Sequence, residues 1–209
     1  LEASDFAFSI SGGTATLSSA TPTDISISGN VYTLDIGLSG TSNGTEVLTV
    51  NPVDDGIYDA NGNEASITQS NNTATLNDVT APTITSVSST TANGTYGIDE
   101  AIAITITFSE NVVVNSALFQ QDGTGRPRLT LETGSSDQAI NYTSGSGGAT
   151  LTWNYPVASG NISSDLDYQS TTALALNGGT IKDATGNDAT LTLPSPGASG
   201  SLAANKALV

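Results

Sequence analysis

The sequence predicts an all-β protein built as two antiparallel β-sandwiches in tandem. Apolar residues alternate with polar ones at a period of two, and no window sustains the period of a buried helix face. Gly (22 residues), Asn, Asp, Ser and Thr cluster between the alternating segments, as turns joining short strands require. The chain has 209 residues, enough for two modest domains that each bury a core. The predicted division is residues 1–77, a stiff linker at 78–82, and residues 83–209.

The linker is Asp78-Val79-Thr80-Ala81-Pro82. Pro82 fixes φ, donates no hydrogen bond and pushes Ala81 to extended geometry, so the chain crosses here as a short strut. The alternative is that Pro82 only starts an edge strand.

In residues 1–77 the alternating segments fall at 6–10, 14–18, 24–28, 31–36, 46–50, 65–68 and 73–76. Phe6, Phe8 and Ile10 share one face, as do Ile25 and Ile27. The second half opens with Ile84 and Val87, followed by Ile102, Ile104, Ile106 and Phe108, the best period-2 strand in the chain. Leu129 and Leu131, residues 139–142, and residues 151–155 follow. Leu174, Leu176, Ile181, Leu191, Leu193 and residues 207–209 complete the series. Trp153, the only Trp, is read as a core pin rather than a sugar platform. The Thr-x-Thr pairs at 14, 73, 105 and 190 are read as solvent faces of strands.

An internal repeat links the halves. Ile57-Tyr-Asp-Ala-Asn-Gly-Asn-Glu-Ala65 matches Ile181-Lys-Asp-Ala-Thr-Gly-Asn-Asp-Ala189, an offset of 124. On that offset the first domain lacks about 45 residues at its front, corresponding to the strands at 82–88 and 101–108. Leu1 then reads as an interior start, with no signal peptide before it. Either strands from elsewhere complete this sandwich by strand addition, or the first domain is smaller and whole.

Net charge is −16, with 20 acids against Arg126, Arg128, Lys182 and Lys206. Such a surface repels nucleic acid and anionic membrane, so neither is an expected partner. No apolar run is long enough to span a bilayer as a helix. His and Cys are absent, which removes the usual nucleophile–base pairs and zinc ligands. A two-carboxylate glycosidase is the remaining catalytic class, but no acid pair is placed in an aromatic cleft. The expectation is that the chain is not an enzyme. Five Asn-x-Ser/Thr sequons are about what chance gives in so Asn-, Ser- and Thr-rich a chain.

Acids cluster where they would attract divalent cations. Asp54, Asp55, Asp59 and Glu64 lie within eleven residues, with Asn61 and Asn63 between them. Short oxygen-bearing side chains in a turn suit Ca²⁺. The pattern fails as an EF-hand, since Glu64 stands where Gly is required. A plain Asn61-Gly62 hairpin turn is the alternative.

Five motifs in order then carry a resemblance: Asp78-Val-Thr-Ala-Pro82, Phe108-Ser-Glu-Asn-Val112, Asp165-Leu-Asp-Tyr168, Leu176 through Asn187, and Ala204-Asn-Lys-Ala-Leu-Val209. They resemble the tandem bacterial immunoglobulin-like repeats of large secreted adhesins and surface proteins. The resemblance covers 78–209, and residues 1–77 look like the back of a related repeat. It implies two Ig-like antiparallel sandwiches, extracellular, strung end to end and often stiffened by calcium at the junctions. In such a sandwich the start of the first strand, the end of the second and the loop before the last long strand share one pole. The expected structural Ca²⁺ ligands are therefore Asp78, Glu110, Asp183, Asn187 and Asp188, with Asp59, Asn61 and Glu64 as the first domain's equivalent. Asp165 and Asp167 are read as solvated loop acids, and Gln120-Gln-Asp-Gly-Thr-Gly125 as an insertion.

The expected function is a non-catalytic structural or adhesion module of a bacterial surface protein. The alternative is a subunit of an extracellular filament or sheath completed by strands from neighbouring chains. Expected partners are neighbouring Ig-like domains of the same or an adjacent chain, with a surface glycan or cell-surface ligand as a further candidate.

Overall fold

A computed structural model describes residues 1–209. The chain divides into two compact units, Leu1–Thr80 and Ala81–Val209. Both are built from antiparallel strands, as the period-2 alternation requires.

Unit 1 contains β1 (Phe6–Ser11), β2 (Thr16–Leu17), β3 (Asp24–Ser28), β4 (Val31–Asp35), β5 (Leu38–Ser39), β6 (Val47–Pro52) and β7 (Thr73–Thr75). β6 is central, with β1 and β7 antiparallel on either side. β2–β5 and β3–β4 form separate two-stranded ribbons. Phe8, Ala15 and Leu48 are its buried apolar residues, while Phe6 and Ile10 are only half-buried. The β3–β4 ribbon leaves Ile27, Val31 and Tyr32 exposed.

The expected strand at 65–68 does not form. Ala65 donates its N–H to the Ile57 carbonyl (2.8 Å), closing an isolated bridge between Tyr58 and Glu64. Ser66 then caps the Thr68 N–H at 3.2 Å, which turns the backbone away from a ladder.

Unit 2 contains β8 (Ile84–Ser89), β9 (Ala101–Val114), β10 (Arg128–Glu132), β11 (Gln138–Ser144), β12 (Gly148–Pro156), β13 (Asp167–Tyr168), β14 (Leu174–Ala175), β15 (Ile181–Lys182) and the single-turn helix α1 (Leu202–Asn205). The strands run in the order β13-β10-β11-β12-β9-β15, with β8 also on β9 and β14 also on β10. Ile102, Ile104, Ile106 and Phe108 are all buried, and Trp153 is fully enclosed. Tyr142 meets the Trp153 ring edge-on at 5.7 Å, and the indole N–H donates to the Pro127 carbonyl at 3.1 Å. Trp153 is therefore a core pin, with its polar handle satisfied inside.

Three expectations are corrected, and the 120–125 insertion gains a place. β9 does not stop at Phe108 but runs to Val114, because a bulge absorbs the polar Ser109-Glu110-Asn111. Residues 207–209 are not a strand: Ser201 caps α1 just before them, and only Leu208 forms a bridge, to Gly94. Thr105 is buried rather than on a solvent face. The 120–125 insertion is tied to the unit: Gly125 donates to the Asn177 carbonyl (2.8 Å), and the Asn177 amide donates to the Gly123 carbonyl (2.9 Å). Arg126 lies 4.4 Å over the Phe119 ring, which in turn meets Tyr142.

Candidate metal centre

The N-terminal pole of unit 2 is assembled by four backbone pairings. Between Thr107 and Val112, β9 advances while β12 moves only from Thr150 to Gly148, so the intervening residues bulge. Glu110 sits half-buried on that bulge. The Ser109 N–H donates to the Thr83 carbonyl (2.8 Å), and the Thr83 N–H donates back to the Ser109 hydroxyl (3.0 Å). β15 pairs Ile181 with Val114 and Lys182 with Val113, which carries Asp183 to the same bulge. The Thr190 N–H donates to the Pro82 carbonyl (2.8 Å), returning the far side of the loop to the incoming chain. A carboxylate oxygen of Glu110 thereby lies within 4.8 Å of one of Asp183.

Asp183 is buried and organises its own loop. One carboxylate oxygen accepts the backbone N–H groups of Thr185 (2.9 Å), Gly186 (2.6 Å) and Asn187 (2.8 Å); the other accepts the Asn187 side-chain amide at 2.7 Å. Burial pushes its pKa up, but the bonds from Asn187, Thr185 and Gly186 outweigh that and hold it below the ordinary carboxylate value. Asp188 faces elsewhere, in an exposed ion pair with Lys182 at 2.8 Å. The groove beside Asp183 is lined by Val113, Val114, Ser146, Thr180 and Lys182 and contains no aromatic ring.

Asp59 builds the same loop in unit 1. It accepts the backbone N–H groups of Asn61 and Asn63, each at 2.8 Å, and the Asn63 side-chain amide at 2.8 Å. Those bonds, the Asn63 side chain first, lower its pKa. Asn61 takes part through its backbone, and Glu64 turns instead to accept the Asp55 N–H at 2.7 Å. The Tyr58 hydroxyl donates to Asp55 at 2.7 Å. That bond, then desolvation and the charges of Asp55, Glu64 and Asp54, push the phenol up to about 12. Asp78 is half-buried; it bridges Asn43 and accepts the Thr80 N–H at 2.9 Å.

Two acids have roles that sequence reasoning missed. Glu46 is fully buried and accepts N–H bonds from Thr14 (2.7 Å), Ala15 (3.0 Å) and Asn43 (3.0 Å). The available signal was Gly12-Gly13: a Cβ at Gly13 would overlap the Glu46 carboxyl, so glycine is required for the close approach. Asp167 is not a solvated loop acid. It is buried and accepts the N–H groups of Tyr168 and Gly197, each at 2.9 Å. Asp165 is exposed, as expected.

No helix is long and apolar enough to cross a membrane. Neither a curated protein nor a solved structure matches the chain. The family model described as "Bacterial Ig-like domain" matches residues 78–195, more than half of the sequence and the greater part of unit 2. The chain therefore belongs to the bacterial Ig-like domain family.

Proposed function

We propose that the chain is a non-catalytic extracellular structural module of a bacterial surface protein, in which Ig-like domains follow one another and a bound Ca²⁺ stiffens the joint ahead of the family-matched domain. The observation that carries this reading is the approach of the Glu110 and Asp183 carboxylates to within 4.8 Å. Two carboxylates that close repel unless they share a proton or a cation. The hydrogen bonds around Asp183 keep it ionised, which favours the cation. Asp78 is proposed as a third acidic ligand from its place in the sequence. It stands at the start of the family match, in the segment that leads to Pro82. Asn187 adds a side-chain oxygen, and waters and carbonyls complete the six to eight ligands Ca²⁺ takes. Asp188 serves the site through Lys182 and the loop. In unit 1, Asp59, Asn61 and Glu64 form the equivalent loop. The proposed role is mechanical: the ion ties the β9 bulge to the loop after β15.

The test is thermal unfolding followed by Trp153 fluorescence, in chelator and with added Ca²⁺. At about a hundred times Kd the ion is expected to add ~2.7 kcal/mol to unit 2. Glu110→Gln is expected to lose most of that gain while unfolding like the parent chain in chelator. Identical melts with and without Ca²⁺ overturn the cation reading and leave the family assignment standing.

A second reading, a subunit of an extracellular filament or sheath, is favoured by the open backbone edge at Tyr58. Electron microscopy of the purified chain in Ca²⁺ separates the two: discrete particles support the spacer, long polymers the filament.

A further inference from the structure

The Asp59 and Asp183 loops share one internal geometry but have different neighbours. In unit 2 the residues before the loop, Ile181 and Lys182, pair with Val114 and Val113 of β9, and Ile181 is fully buried. In unit 1 the matching residues are Ile57 and Tyr58. Their loop-side bonds are made: Ala65 donates to the Ile57 carbonyl and Asp59 donates to the Asn63 carbonyl. In an antiparallel bridge of that register, the N–H and C=O of the intervening Tyr58 point to the opposite side. No strand stands there. Ile57 is half-buried, Tyr58 is 50% exposed, and an open groove of about 380 Å³ runs along Ile57, Tyr58, Asp59 and Glu64.

Charge says what fits this edge. Lys182 neutralises Asp188 in unit 2, whereas Tyr58 brings no charge to the matching Glu64, and Asp54, Asp55 and Asp59 surround it. Residues 1–125 contain no Lys or Arg to offset them. We propose that the Ile57–Tyr58 edge is an acceptor for one antiparallel strand from another Ig-like module. Its inward positions carry β-branched apolar residues, as Val112 and Val114 do in β9, and its outward position opposite Tyr58 carries Lys or Arg. The apolar residues cover Ile57, the backbone pairs with Tyr58, and the cation meets the acids and the Tyr58 ring.

This inference rests on the strand-completion reading but is tested without polymer formation. The probe is the peptide Asn-Val-Lys-Val-Asn, extended by two Ser at each end, added to the full chain in chelator. Amide exchange is read at Tyr58 and, as an internal control, at Lys182. The peptide is expected to slow Tyr58 exchange at least tenfold and leave Lys182 unchanged. A peptide with Glu in place of Lys is expected to need at least tenfold higher concentration, and one N-methylated at the central residue is expected to do nothing. Unchanged Tyr58 exchange up to millimolar peptide overturns the proposal, as does equal slowing by the Glu or N-methylated peptide. Tyr58 exchanging as slowly as Lys182 before any addition also overturns it. Peptide binding by a chain that never polymerises supports the inference and removes the filament reading.

Discussion

Asp183 and Asn187 close a five-residue stretch of backbone on itself: the aspartate takes both the N–H and the side-chain amide of Asn187, and the Asp183 N–H returns to the Asn187 carbonyl at 3.0 Å. The loop is held chiefly by one buried carboxylate. Asp183→Ala would leave the Thr185, Gly186 and Asn187 N–H groups without their shared acceptor. The expected loss in unit 2 is roughly 1–3 kcal/mol, as for other buried donors left unpaired. Urea unfolding followed by Trp153 fluorescence measures it, and an unchanged midpoint would show that solvent replaces the carboxylate at no cost.

This loop was legible in the sequence because it is local. Asp-Ala-Asn-Gly-Asn and Asp-Ala-Thr-Gly-Asn place acceptor, turn glycine and amide at fixed short spacing, so the motif carries its own geometry. The alternation of Ile102, Ile104, Ile106 and Phe108 was legible for the same reason. The extension of β9 to Val114 was not, because Ser109-Glu110-Asn111 breaks the alternation and only pairing with β12 and β15 restores the strand. Glu46 was hidden more deeply: its partners Thr14, Ala15 and Asn43 come to it through the tertiary fold, and a lone Glu ahead of an alternating run reads as a solvent-facing residue.

Trp153 tests whether the core or the surface uses the indole. Its ring is fully enclosed and its N–H is spent on Pro127. Its emission is expected to be blue-shifted and almost insensitive to acrylamide, and added oligosaccharides should not change it. Trp153→Phe removes ring area and one of the two hydrogen bonds to the Pro127 carbonyl, which keeps the Tyr142 N–H at 2.7 Å, an expected loss of about 1–3 kcal/mol. Strong acrylamide quenching in the folded chain would contradict this packing.

Gly125 reports on the docked 120–125 loop. It adopts φ of 81°, and a Cβ there would overlap the Leu118 carbonyl. Gly125→Ala therefore carries left-handed backbone strain together with a backbone clash, and should destabilise unit 2 by about 1–3 kcal/mol. Gly147, at φ 91° with nothing near its Cβ position, is the matched control. Gly147→Ala is expected to cost only the backbone term, so the smaller shift in urea midpoint should belong to it. Equal shifts would show that the 120–125 loop moves aside freely.

Glu46 makes unit 1 sensitive to acid. Its pKa is held down at about 2 from an ordinary 4.5, chiefly by the Ala15 N–H; desolvation opposes this, and the Thr14 and Asn43 N–H groups add to it. A carboxylate depressed in the folded state stabilises fully above its unfolded pKa, and the contribution disappears as pH falls through the folded value. The window is thus pH 4.5 down to 2. Amide protection in β6, at Leu48 and Val50, should fall across that window once the intrinsic pH dependence of exchange is removed. Glu46→Gln retains an oxygen for Thr14 and Ala15 but cannot titrate. Its protection at those amides should be lower at pH 7 and should lose the Glu46 contribution to the slope between pH 4.5 and 2. A variant with the parent's full slope would assign the acid sensitivity of unit 1 to its exposed carboxylates instead.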